Sequence, residues 1–69
     1  MDLIDSLRIA ENVRNLRVGN SLTQDDFAVA IGYSRRQIIR IETEGTKNLD
    51  TINVIAKFFN VSALSILSN

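Results

Sequence analysis

Tyr33 to Ile41 (Y-S-R-R-Q-I-I-R-I) carries Arg35, Arg36 and Arg40, three of the chain's eight basic side chains, and no acid. A guanidinium is a planar, permanently charged fork of N–H donors that matches paired acceptors, such as two phosphate oxygens or the O6/N7 edge of guanine. Arg36 and Arg40 stand four positions apart, so a helix would present both forks on one face, one turn from each other. Gln37 adds an amide that both donates and accepts. This is the chemistry of recognising an anionic duplex, not of breaking a bond. The sequence has no His and no Cys, which removes the commonest general base, the commonest metal ligand, thiolate sites and disulfides. No catalytic residue, metal or cofactor is expected.

The forks need a rigid helix, and the sequence marks one. Ser34 is an N-cap residue with Gln37 three positions on, a capping box, and Tyr33 and Ile38 bracket the cap as an apolar staple. The same pattern recurs where Leu22 and Phe27 bracket Thr23, and where Val61 and Ile66 bracket Ser62; Asn48 before Leu49 is a weaker fourth start. Ile9, Val13 and Leu16 recur at helical spacing, predicting a first helix from about Leu3 to Arg17 that ends at Gly19. Gly32, Gly45 and Asn60 follow the next three helices, each tolerant of positive φ. Five helices and no strand are expected: an all-α single domain over residues 1–69, with a core of about 9–67 and a helical extension over 1–8.

Only Gly32 and Tyr33 separate the Thr23 and Ser34 helices, a turn that forces a steep crossing. Ala28 is small where they meet, and Ile31, Ile38 and Ile41 fill the space around it. With Ile38 inward and about 100° per residue, Ile41 and Glu42 lie near the same face while Arg36 and Arg40 point away. Ile39 lies on the outer flank without a core role.

These residues look like the helix-turn-helix of the phage repressor and Cro family, the XRE class: L-T-Q-D-D-F-A-V-A-I-G-Y-S-R-R-Q-I-I-R-I-E, with R-N-L-R before it and N-L-D-T-I-N-V-I-A-K-F-F-N-V-S-A-L-S-I-L after it. The resemblance spans nearly all of Ile9 to Leu67. It implies a five-helix lambda-repressor-like bundle that binds double-stranded DNA, usually as a homodimer on a two-fold operator, with the Ser34 helix in the major groove. Carried over by position, Arg35, Arg36 and Arg40 would read bases, as would Gln37, which could serve a phosphate instead. Gln24, Ser34, Thr46, Lys47 and Asn48 would hold phosphates. The sequence departs from the family at Phe27, where Leu is usual, at Glu44, inserted before Gly45, and at Lys47, where Pro is frequent; Glu44 would repel a phosphate beside that loop.

Other features have plainer readings. Glu42 faces inward and needs a cation; Arg17 is the expected partner in a structural ion pair, and the resemblance points to the same pair. Asp25 and Asp26 occupy a helix's first turn, where the dipole favours acids. Phe58, Leu64, Ile66 and Leu67 supply more apolar surface near the C-terminus than one small core needs, and are expected at a dimer interface. Leu3, Leu7 and Ala10 form a second apolar stripe that covers extra core or a partner.

The formal net charge is zero, which argues against a generic polyanion binder and leaves charge placement to carry the case. The acidic start and the lack of a membrane-length apolar run predict a cytoplasmic protein without membrane contact. A chain of 69 residues leaves no room for a ligand-sensing domain, so no small-molecule substrate is expected, and regulation would come through concentration, dimerisation or a regulatory protein partner. The expected function is sequence-specific transcriptional regulation. Phage-type repressor, restriction-modification controller and antitoxin all remain open, as does a helical protein-interaction module with a vestigial DNA face, for which zero net charge is the best support.

Overall fold

Side-chain caps set where the chain becomes helical in the computed structural model, which describes residues 5–68. Five helices form: α1 (Ser6–Gly19), α2 (Gln24–Ile31), α3 (Arg35–Glu44), α4 (Leu49–Phe59) and α5 (Ala63–Leu67), with no strand among the described residues. Thr23, Ser34, Asn48 and Ser62 each accept a backbone N–H of their own first turn. At α3 the box closes both ways, with Ser34 Oγ accepting from Gln37 N at 3.1 Å and Gln37 Oε1 accepting from Ser34 N at 2.8 Å.

Helix α1 ends at Gly19 as expected and differs at its start. Asp5 caps it, its carboxylate accepting from Leu7 N at 3.1 Å and Arg8 N at 3.2 Å, so the helix starts at Ser6 and not near Leu3. Residues 1–4, and with them the expected roles of Leu3 and Ile4, lie outside the described residues. The remaining stripe divides: Ala10 is in the core while Leu7 is exposed. Gly19 is the last helical residue and not a left-handed stop; Asn20 is the C-cap and Ser21 takes the positive φ of 60°.

The other stops follow the backbone freedom of their residues. Gly32 (φ 74°, ψ 28°) and Asn60 (φ 56°, ψ 44°) are left-handed, and Tyr33 N closes the α2 terminus on the Ala28 carbonyl at 2.8 Å. Gly45 has φ 77° and ψ −169°, a region only glycine occupies readily. A Cβ built there would lie 1.8 Å from the Ser6 carbonyl oxygen, so the loop after α3 is pressed against the start of α1.

The core joins every helix: Ile9 and Val13 from α1, Phe27 from α2, Ile38 from α3, Ile52 and Ile55 from α4, and Ile66 from α5 are fully buried. Ile66 was expected at a dimer interface; it is a core residue. It is the inward member of the Val61–Ile66 bracket around the Ser62 cap, and Asn12 Nδ2 holds α5 against α1 by donating to the Ile66 carbonyl at 2.8 Å and the Ser68 carbonyl at 2.6 Å. Leu67 is half-buried against the same core, while Leu64 points outward. Among the described residues no helix is long and apolar enough to cross a membrane.

Candidate nucleic-acid interface

Helix α3 is fixed from behind and open in front. Ile38 and Ile41 are buried, 0% and 7% exposed, and Glu42 beside them is held by Arg17 of α1. The side chains of Arg35, Arg36, Gln37, Ile39, Arg40 and Thr43 lie on the exposed surface. By helical rotation Arg36, Arg40 and Thr43 stand most directly opposite Ile38. Thr43 belongs to no motif in the sequence, although the same rotation places it there.

The three arginines do not share one environment. Arg40 Nε lies 3.4 Å from Glu44 Oε2 one turn on, and Arg35 Nε lies 3.6 Å from Asp25 Oδ1 in the first turn of α2. Arg36, between them, has no ion pair among the described residues. The Arg40–Glu44 spacing was available in the sequence; Arg35–Asp25 depends on the crossing of α2 and α3 and was not.

The expected phosphate-holding residues fall into three places. Thr46 and Asn48 border a shallow groove of about 250 Å³ together with Tyr33, Gln37 and Arg40, so the α3–α4 loop and the exposed face of α3 are brought together. Asn48 Oδ1 is occupied as the α4 cap, accepting from Asp50 N at 2.9 Å and Thr51 N at 3.3 Å, which leaves its amide nitrogen to donate. Thr46 Oγ1 accepts from Asn48 N at 3.1 Å, and Lys47 is exposed beside it. Tyr33 donates its hydroxyl to Thr51 Oγ1 at 3.1 Å, tying the turn before α3 to α4. Ser34, at the start of α3, keeps a hydroxyl hydrogen to donate because its oxygen serves the cap as acceptor.

Gln24 differs. Its Nε2 donates to Glu42 Oε1 at 3.3 Å, so this half-buried amide is turned into the protein, and one N–H remains for an outside acceptor. The sequence pattern could not supply that orientation, since it depends on where α3 puts Glu42. Among the described residues no group of His, Cys, Asp or Glu could hold a metal ion.

The helix-turn-helix family model matches residues 13–66, which include all of α2, the turn and α3. The chain belongs to this family, in its XRE-type branch. It is 39% identical over 61 residues to the antitoxin PezA of Streptococcus pneumoniae, a match that covers 86% of this chain and 38% of PezA. It is 36% identical over 59 residues to the HTH-type transcriptional activator BcrR of Enterococcus faecalis, covering 84% of this chain and 29% of BcrR. The chain therefore spans well under half the length of these relatives. Among solved structures, a hypothetical transcription factor, NHTF, from Neisseria superposes with a TM-score of 0.84 at 26% identity, over 99% of this chain and 80% of that one. The restriction-modification controller protein C.AhdI of Aeromonas hydrophila shares the fold, with a TM-score of 0.80 at 21% identity over 90% of this chain and 96% of that one.

Proposed function

We propose that this helix-turn-helix domain is a sequence-specific DNA-binding transcriptional regulator that lays α3 in the major groove. The observation that carries this reading is the two-sidedness of α3: Ile38 and Ile41 lock one face into the core while Arg36 and Arg40 are exposed on the other. Arg35, Arg36, Arg40 and Gln37 read base edges, and Ser34, Thr46, Lys47 and Asn48 hold phosphates on either side, with the remaining N–H of Gln24 as a secondary donor. The transcriptional activator BcrR and the transcription factor NHTF among its relatives support the same reading.

The domain works as a homodimer, presenting two α3 helices about 34 Å apart on one face of the duplex. Phe58 and Leu64, 41% and 69% exposed, supply the apolar contact, with half-buried Leu67 at the rim and Val54 one turn before Phe58. A cytoplasmic location, no enzymatic activity and no small-molecule substrate go with this reading. The likeness to the antitoxin PezA supports a regulatory protein partner in addition to DNA.

Selecting bound duplexes from a random pool tests the proposal. The expected product is a two-fold site with guanines at the Arg36 and Arg40 positions, bound with a steep inverse dependence on salt as phosphate contacts release counterions. A pool that shows no enrichment, or binding without a salt slope, favours the protein-interaction module instead.

A further inference from the structure

Two of the three arginines on the exposed face of α3 are met by a carboxylate in the same way. Glu44 approaches Arg40, and Asp25 approaches Arg35, in each case closest at Nε, the atom on the side of the guanidinium. Neither arginine donates a hydrogen bond within the protein among the described residues, so the terminal Nη pair of each remains open. A carboxylate on the Nε side offsets the charge of the guanidinium and leaves open its end-on fork, the edge that pairs with guanine O6 and N7.

Helix stabilisation explains the position of Glu44 only weakly. It is the last residue of α3, where the dipole disfavours an acid, and it follows its arginine by four residues, the poorer order for such a pair. Glu44 also stands beside the loop whose expected task is to approach a phosphate. Asp25, at the other flank, suits the first turn of α2 by the helix dipole, and it also lies close to where Gln24 would meet the backbone of the duplex. Three positive charges and two negative ones leave this face with a net charge of only about +1, in line with the zero net charge of the whole chain.

We infer that Asp25 and Glu44 are specificity-determining residues that pair with Arg35 and Arg40 on the Nε side, leave their Nη forks to base edges and offset their charge toward phosphates. Arg36 supplies the uncompensated attraction. Contact with random duplex, which depends on neutralising phosphates, is then weak, whereas a guanine in register still meets an open fork. The carboxylates do not touch the bases themselves; they act through the arginines. This inference rests on the DNA-binding reading above.

The test measures binding of the duplex selected above and of a random duplex to the wild-type chain, Asp25→Asn, Glu44→Gln and the double variant, across a range of salt. Both sites are well exposed, 69% and 63%, so the fold should persist, and a thermal melt checks it. Each substitution frees an arginine to take a phosphate. The slope of log K against log salt for random duplex should steepen by about 0.9, and random binding should tighten by close to tenfold at 0.1 M salt. Binding of the selected duplex should not tighten in step, so the ratio of selected to random affinity falls. Glu44→Gln should also relax the base preference at the Arg40 position, which a merely structural role would not move. An unchanged random slope, or a ratio that holds or rises, overturns the inference while leaving the DNA-binding reading intact. Failure of the wild-type chain to bind either duplex overturns both.

Discussion

Arg17 of α1 grips Glu42 of α3 with two parallel bonds, Nε to Oε2 at 2.6 Å and Nη2 to Oε1 at 3.0 Å, and its Nη1 donates to the Leu22 carbonyl at 2.8 Å. The Glu42 side chain is 4% exposed and that of Arg17 13%, so the pair is taken out of water and one guanidinium joins α1, the α1–α2 loop and the back of the candidate recognition helix. Removing one member strands a buried charge, which costs far more than the intact pair contributes.

Arg17→Met is therefore expected to destabilise the domain by about 3 to 5 kcal/mol. For a chain of this size that lowers the melting temperature by more than about 10 °C. Adding Glu42→Met to the same chain should recover much of the loss, because two apolar side chains of similar volume replace the stranded charge. An unchanged melting temperature for the single variant would show that Glu42 is hydrated in solution.

Gly45 gives the second expectation. Its φ of 77° and ψ of −169° are hard for any side chain to adopt, and an added Cβ would meet the Ser6 carbonyl at 1.8 Å. Strain in the backbone alone costs about 1 to 3 kcal/mol. Relieving the collision must also move either the loop that carries Thr46, Lys47 and Asn48 or the start of α1. Gly45→Ala should thus lower stability and weaken DNA binding together, whereas Gly32→Ala, which meets nothing within 4 Å, should cost only the strain of its left-handed backbone. Equal effects of the two on DNA affinity would dissociate the loop from the interface.

That Gly45 was legible as a stop, and illegible as a contact, illustrates how sequence and fold divide in this chain. Caps act on backbone groups within three residues, so Thr23, Ser34, Asn48 and Ser62 announce their helices in one dimension. The buried face of α3 also follows from periodicity, since ten residues give nearly three turns. α5 has five residues, too few for periodicity to select a face, but the Val61–Ile66 bracket around Ser62 marks Ile66 as inward, as the corresponding brackets mark Phe27 and Ile38. The turned-in amide of Gln24 and the Asp25–Arg35 approach depend on the angle between α2 and α3. The short Gly32–Tyr33 turn makes that angle steep, but no local pattern fixes it closely enough to place these side chains.

Base reading and phosphate holding predict different losses. Arg40→Ala removes a fork worth about 1 to 3 kcal/mol of discrimination, and should weaken binding of the selected duplex much more than of random DNA. Lys47→Ala should weaken both alike and make the salt slope shallower by about one. Filter binding at two salt concentrations separates the cases, and parallel losses for Arg40→Ala would move that residue from the bases to the phosphates.

The dimer surface is testable through what the core excludes. Ile66 is fully buried, so Ile66→Ala should lower stability by about 2 to 5 kcal/mol through the cavity it leaves. Leu64, 69% exposed on the same short helix, has no such duty. Leu64→Lys should leave the melting temperature of the dilute protein nearly unchanged while shifting sedimentation toward monomer. The loss should be larger on a two-fold operator, where both copies are held at once, than on a single half-site. If Leu64→Lys leaves self-association intact and Phe58→Ser abolishes it, the contact runs along α4 past Val54 and Phe58, and α5 serves only to close the core.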